Sequence, residues 1–167
     1  MLHGEAVALV QDFGDAAAMA MPPIGLVAQQ AARAGFRGFG SLGECKLGLY
    51  GFRELISRGA VDIVQLDLAW SGGFSEGRRI AAYAHAHHRM VAPHAFAGAV
   101  LLMASLHFAA AIPNGLNLEW DQNPNAIREE LLKEPLRLEP DGTVKVPERP
   151  GLGIELDRAA VERYRIG

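Results

Sequence analysis

The middle of the chain alternates between helical patterns and short apolar runs. Phe52, Leu55 and Ile56 lie at helical spacing, and Gly59 is a typical helix stop. Spacing of this kind predicts helices at about 49–58, 75–88 and 98–111. The short, largely apolar runs between them predict strands at 61–68, 90–92 and 116–119. This order predicts βα units around a parallel sheet with right-handed crossovers.

The opening segment has a different pattern. Residues 1–43 are rich in Ala, Gly and Met and hold only five charged side chains. Their apolar positions follow neither a clean helical nor a clean strand period, apart from a helical pattern at about 26–34. We expect no more than moderate helicity in this segment.

The tail changes character again after Trp120. Asn125 is a suitable cap for a short helix that ends near Lys133. Apolar runs at 136–138 and 143–146 flank the turn sequence Glu-Pro-Asp-Gly, which predicts a β-hairpin. Asp157 then begins a final amphipathic helix.

Composition narrows the class of protein. The 167 residues are 50% hydrophobic and 21% charged with a net charge of −3, which is ordinary for a soluble globular domain and excludes disorder and collagen. No basic excess favours nucleic acid or anionic lipid, and the longest apolar stretch is shorter than the roughly 18 residues of a membrane span. We therefore expect a small-molecule or protein partner. The single cysteine and the lack of a signal-like opening predict a cytoplasmic protein.

Four strands or candidate strands end in an ionisable residue, and parallel α/β folds place their functional groups at that edge. These residues are Glu44, Asp67, His94 and Glu119. Asp67 and His94 end consecutive strands, which lie about 4.8 Å apart in a sheet, so their side chains can touch. An aspartate on one imidazole nitrogen makes a general base suited to neutral pH. The alternative, that His94 caps a loop while Asp67 pairs with an arginine, stays open.

The remaining polar candidates have less specific patterns. Glu119 could act across the mouth as an acid or hydrogen-bond donor, and Glu44 could bind a divalent cation, although one carboxylate is not a metal site. His85, His87 and His88 resemble a metal cluster, but their place at the end of a predicted helix favours an interaction with the helix dipole instead.

The four strand-end residues lie within a larger set of motifs that resembles the mandelate racemase/muconate lactonizing branch of the enolase superfamily. The matching segments are Gly43-Glu44, residues 50–55, residues 59–67, residues 72–76 and Val91-Ala92-Pro93-His94. The tail resembles that of the sugar-acid members, the galactarolactone cycloisomerase-like proteins and dehydratases, at Asn123-Pro124, Leu131, Glu134-Pro135-Leu136 and residues 150–155. The resemblance covers about residues 43–165.

This resemblance implies the fold and a role for each strand-end residue. It implies an α/β fold made of part of a (β/α)8 TIM barrel, strands five to eight with their helices, followed by the hairpin and short helix. Glu44 matches a carboxylate that holds Mg²⁺, Asp67 and His94 match a His-Asp dyad, and Glu119 matches the acid that stabilises the enolate. The implied substrate is a sugar acid or lactone, isomerised or dehydrated after removal of the proton α to a carboxylate.

The resemblance also implies that parts of the family pattern are missing. A capping domain and four strands precede the matching region in the family, and a second metal carboxylate falls where this chain has Ala18 and Met19. We expect an atypical segment at 1–42, a half-barrel at 43–122 and a tail at 123–167 that would return to a capping domain. Such a chain is expected to be truncated or read in an altered frame over its opening segment, to be inactive alone, and to self-associate through the open barrel. The alternative is a non-catalytic remnant that binds a partner.

Overall fold

The computed structural model describes residues 5–11, 41–42, 46–121 and 123–166. Its strands are β1 (Glu5–Gln11), β2 (Ser41–Leu42), β3 (Ile63–Val64), β4 (Met90–Val91), β5 (His94–Ala95), β6 (Leu118–Asp121) and β7 (Thr143–Lys145). Its helices are α1 (Gly48–Ser57), α2 (Leu68–Ser71), α3 (Gly73–Ala86), α4 (Ala99–Ala111), α5 (Ala126–Glu129) and α6 (Arg158–Arg163). No helix in these ranges is long and apolar enough to cross a bilayer.

The strands form one ladder in two hydrogen-bonded parts. The order in the first part is β2-β3-β4, and that in the second is β5-β6-β1-β7. Parallel bridges from Asp67 to His94 and from Val91 to Gly115 join the two parts. All neighbours are parallel except β1 and β7, which are antiparallel. The predicted parallel arrangement with helices between strands is therefore present in the described residues.

Two apolar clusters fill the space between the strands and the helices. One surrounds Phe52, Ile80 and Phe108, and the other surrounds Leu106 and Leu118. Helix α4 contributes to both clusters, which explains why it is apolar on every side. Strands β3 to β7 each contribute a buried residue to these clusters (Val64, Val91, Ala95, Leu118 and Val144). Because side chains alternate along a strand, the neighbouring residues point to the other face and are available to form a site there.

Several predicted elements differ from the observed ones. The strand predicted at 61–68 is observed only at Ile63–Val64, and it cannot reach residue 68 because the Asp67 side chain caps α2 and Leu68 already begins that helix. The predicted hairpin is wrong: residues 136–138 form no strand, and β7 pairs with β1 instead. Residues 5–11, where the sequence predicted at most moderate helicity, form a strand paired on both sides. The helical pattern at 26–34 lies outside the described residues.

The capping residues of the tail match their predictions more closely. The Asn125 side chain accepts the backbone N–H of Arg128 at 3.2 Å and begins α5, although that helix ends at Glu129 rather than near Lys133. Asp157 caps α6 by accepting the N–H groups of Ala159 and Ala160. Each cap satisfies backbone donors that the first helical turn leaves without a partner.

Candidate active site

The carboxylate of Asp67 orients the imidazole of His94, which lies at the matching position of the neighbouring run in the sheet. The Oδ2 atom of Asp67 lies 3.1 Å from Nδ1 of His94. Its other oxygen, Oδ1, accepts the backbone N–H groups of Ala69 at 2.7 Å and Trp70 at 3.3 Å. Asp67 is only 3% exposed, so the capped helix and the sheet hold its side chain in one orientation. The predicted contact between these two residues is present.

Glu119 lies in strand β6, next to the strand of His94 and at the same level in the sheet. In the ladder, His94 is in register with Glu119 and bridges to Asp67 on its other side. The three side chains therefore come from three neighbouring runs of a parallel sheet. Strands β5 and β6 both continue past His94 and Glu119, to Ala95 and Asp121, so these two residues precede the strand ends instead of forming them.

Gln65 is a further member of this site that the sequence reasoning did not single out. Its amide Nε2 donates to Oε2 of Glu119 at 2.5 Å. Gln65 lies two residues before Asp67, and residues two apart in a strand point to the same face. That period of two counted back from Asp67 is the signal that could have identified it.

One aromatic ring stacks on the histidine of the dyad. The rings of Phe96 and His94 are stacked with centroids 5.7 Å apart and planes 13° apart. Phe96 is 51% exposed and Trp70, in helix α2, is 58% exposed, so neither ring is part of the core. The exposed Phe96 ring beside the polar pair provides apolar surface at which a ligand could be held.

The described residues do not assemble a metal centre. Glu44, the predicted metal ligand, lies outside them, as does Cys45. In the part of the chain that the structure describes, no three His, Cys, Asp or Glu side chains are grouped so that they could hold an ion. His85, His87 and His88 are exposed at and beyond the end of α3, the position in the helix that the sequence predicts for them.

The dyad geometry defines which imidazole nitrogen can react. An ionised carboxylate can only accept hydrogen bonds, so the Asp67 contact places the ring proton of neutral His94 on Nδ1. Nε2 then carries the lone pair and can take up a proton. This is the arrangement required of a general base at neutral pH, with a carboxyl group, Glu119, on the next strand.

Comparison with known proteins identifies a large matching region. The family model described as enolase C-terminal domain-like matches residues 41–160. The chain is 40% identical over 132 residues to D-galactarolactone cycloisomerase of Agrobacterium fabrum, covering 74% of this chain and 35% of that protein. It is 37% identical to arabinonate dehydratase of Saccharolobus solfataricus, covering 68% and 30% of the two chains.

A solved structure has the same fold over most of the chain. It is a mandelate racemase/muconate lactonizing enzyme-like protein from Roseovarius sp. TM1035, with a TM-score of 0.73 and 38% identity. The match covers 86% of this chain and 35% of that one. The chain thus spans about a third of the length of the curated relatives and the solved structure that it matches.

Proposed function

The chain belongs to the enolase C-terminal domain-like family, and on that premise we propose that it carries the acid–base residues of a sugar-acid isomerase or dehydratase. The observation that carries this proposal is the Asp67–His94 hydrogen bond, with Glu119 in register on the adjacent strand. The relatives named as a galactarolactone cycloisomerase and an arabinonate dehydratase support a sugar acid or its lactone as the substrate class.

The proposed reaction begins with proton removal by His94. Its Nε2 takes the proton from the carbon next to the substrate carboxylate, and the electron pair of the broken C–H bond moves into that carboxylate to form an enediolate. Asp67 keeps the imidazole in the reactive tautomer and stabilises the imidazolium that forms. Glu119 supplies the acid or hydrogen-bond donor beside the developing charge. Reprotonation of the enediolate, lactone rearrangement or loss of a hydroxyl group would then decide between epimerisation, cycloisomerisation and dehydration.

Glu44 is proposed as an Mg²⁺ ligand because it matches the family pattern. Mg²⁺ at this position would stabilise enediolate charge, since hard cations bind carboxylate oxygens. The described residues add no cluster of ligands to it, so no step above passes through the metal. Calorimetric titration of the chain with Mg²⁺, wild type against Glu44→Gln, tests this assignment. Equal binding by the two proteins would contradict it.

We further propose that the ladder corresponds to the second half of a (β/α)8 barrel. Strand β2, which ends just before residue 43, would then be barrel strand five, β3 strand six, the pair β4 and β5 strand seven, and β6 strand eight. The proposed half-barrel at 43–122 therefore has to begin two residues earlier, at β2, and is followed by a tail at 123–167 directed toward a capping domain. A cytoplasmic location remains a prediction from the single cysteine.

Self-association is the expected consequence of an open barrel. The terminal strands of the described ladder, β2 and β7, each have one edge without a neighbour among the described strands. Unpaired strand edges favour pairing with another chain, so we propose a homo-oligomer that closes the barrel. Light scattering that finds a monodisperse monomer would contradict this arrangement.

The test of the proposed reaction is exchange of the α proton. The full chain is incubated with Mg²⁺ and a panel of sugar acids and lactones in D₂O, and deuterium at the α carbon is measured by NMR. The sequence predicts a chain that is inactive alone, whereas the homo-oligomer proposed to close the barrel should exchange the α proton of at least one panel member, and His94→Asn should lose that exchange. A wild-type chain that exchanges no member would contradict the proposal and favour the non-catalytic interaction module. Glu162→Gln, an exposed acid in helix α6, is the matched control and should exchange at the wild-type rate.

A further inference from the structure

The amide of Gln65 makes a contact that the proposed reaction does not yet explain. Its Nε2 lies 2.5 Å from Oε2 of Glu119, and 54 residues separate the two in the sequence. We propose that Gln65 is a positioning residue that holds the Glu119 carboxyl group in a single orientation beside the dyad. This inference rests on the proposed function, because Glu119 matters to the chemistry only if the dyad acts on a substrate.

The register of the strands shows how the two side chains meet. The run between Gln65 and Glu119 is residues 90–95, which contain β4 and β5 and are called the middle run below. Ile63 pairs with Met90, and Asp67 bridges to His94, so Gln65 lies opposite Ala92 on the middle run. Glu119 lies beyond that run, in register with His94. The Gln65–Glu119 bond therefore crosses the middle run diagonally. The methyl side chain of Ala92 is the smallest that could occupy the position beneath this bond apart from glycine, so the contact can pass over it.

The direction of the bond has a consequence for Glu119. Gln65 lies on the Asp67 side of residues 90–95 and two residues before Asp67, so the bond holds the Glu119 carboxyl group over that run, next to the dyad and on its strand-start side. A glutamate side chain has three rotatable torsions, and a hydrogen bond to its carboxyl group narrows the set of rotamers that it samples. A fixed carboxyl group is what a transition-state contact requires, because misplacement by about 1 Å can cost about a hundredfold in rate.

A carboxamide suits this task because it both donates and accepts hydrogen bonds. In the structure the Nε2 donor faces Oε2 of Glu119, which is the contact that an ionised carboxylate would accept. To a protonated Glu119 the same amide can turn over and present its oxygen as an acceptor. Gln65 can therefore hold Glu119 in both protonation states, whereas a cationic donor would favour only the ionised state.

The experiment uses the full chain with three variants on the same strand run. Gln65→Leu removes both donor and acceptor, and Gln65→Asn keeps an amide that is one methylene too short to reach. Ile63→Val, two residues earlier on the same face, is the matched control for general disturbance of the strand. Far-UV circular dichroism establishes that each variant is folded, and Gln65→Asn provides the test if Gln65→Leu is not.

The first readout is independent of catalysis. NMR couplings and carboxyl carbon relaxation of Glu119 should report one rotamer in the wild type and in Ile63→Val, and rotamer averaging in Gln65→Leu and Gln65→Asn. An unchanged Glu119 rotamer in the Gln65 variants would overturn the proposal. A wild-type chain without α-proton exchange would contradict the proposed function alone, and the rotamer result would still decide the role of Gln65.

The second readout applies where exchange is measured. Loss of a hydrogen bond to a charged group should lower kcat of Gln65→Leu by about tenfold or more, while KM changes by less than about threefold. The same substitution in a Glu119→Gln background should add little, because Gln65 acts through Glu119. Full kcat in Gln65→Leu, or equal losses in both backgrounds, would overturn the positioning role.

Discussion

Asp67 binds His94 with one carboxylate oxygen and caps helix α2 with the other. The Oδ2···Nδ1 distance to the imidazole is 3.1 Å, and Oδ1 accepts the N–H of Ala69 at 2.7 Å. The residue that orients the candidate base is therefore also a determinant of local structure. Substitutions at Asp67 can separate the two roles, because asparagine and alanine differ in their ability to cap a helix.

We expect Asp67→Asn to remain stable but to lose α-proton exchange. The single amide oxygen is needed for the helix cap, so the amide NH₂ would face Nδ1 of His94. That contact requires Nδ1 to accept, which moves the ring proton to Nε2 and removes the lone pair that takes up the substrate proton. Exchange should fall by about 10²- to 10⁴-fold, while the free energy of unfolding measured with denaturant changes by less than about 0.5 kcal/mol.

Asp67→Ala should lose both roles. Removal of the cap is expected to lower the free energy of unfolding by about 1–2 kcal/mol, and exchange should fall as in the asparagine variant. Urea titration of the two variants in parallel provides the comparison. Equal stability of Asp67→Ala and Asp67→Asn would show that the cap contributes nothing.

The buried ion pair between Arg128 and Asp121 should contribute more to the free energy of unfolding than the exposed pair between Arg149 and Glu134. Nη1 of Arg128 lies 2.6 Å from Oδ2 of Asp121, and the side chains are 6% and 3% exposed. Arg128→Met should lower the free energy of unfolding by about 3–5 kcal/mol, because it leaves the buried carboxylate without its guanidinium. The control is Arg149→Met, whose partner Glu134 is exposed, and which should cost less than about 1 kcal/mol. Similar losses in both variants, measured by urea unfolding, would contradict the prediction.

The sequence predicted those parts of the fold that depend on local pattern and strand adjacency. The Asp67–His94 contact follows from two consecutive parallel strands, and the caps at Asn125 and Asp157 follow from local side-chain chemistry. The assignment of catalytic roles to Asp67, His94 and Glu119 stays a prediction. The family and its fold also followed from spaced motifs, which the match over residues 41–160 confirms.

The failures occur where distant pairing decides the outcome. The turn predicted for the hairpin exists, because Gly142 donates to the Glu139 carbonyl oxygen at 2.9 Å, but its second strand pairs with β1. Strand β1 is a nearly continuous apolar run with neighbours on both sides, and such a strand shows no alternation that a sequence could reveal. Gln65 was missed because its partner, Glu119, lies on a strand that is not adjacent to Gln65 in the sheet.

Helix α1 begins with a cap that another helix provides. Leu47, its N-cap residue, offers no side-chain hydrogen bond. The N–H of Leu49 instead donates to Oε1 of Glu76 in α3 at 2.9 Å, and Arg79 donates to the second carboxylate oxygen at 3.0 Å. The Leu49 hydrogen bond, followed by that of Arg79, lowers the pKa of Glu76 below its ordinary value of 4.5. The charged carboxylate is thus favoured in the folded state.

This lowered pKa makes the contribution of Glu76 to stability depend on pH. Because the folded-state pKa lies below the unfolded value, the stabilisation is complete above the unfolded pKa of about 4.5 and is lost as pH falls through the folded pKa. Glu76→Gln can still accept from Leu49 but carries no charge, so it should unfold at lower urea concentration than the wild type at pH 7. That difference should shrink below pH 4.5 and vanish once Glu76 is protonated. Glu54→Gln, which removes an exposed pair with Arg58, is the control and should change stability little at either pH. A Glu76→Gln difference that stays constant as the pH is lowered would mean that the charge does not act through this cap.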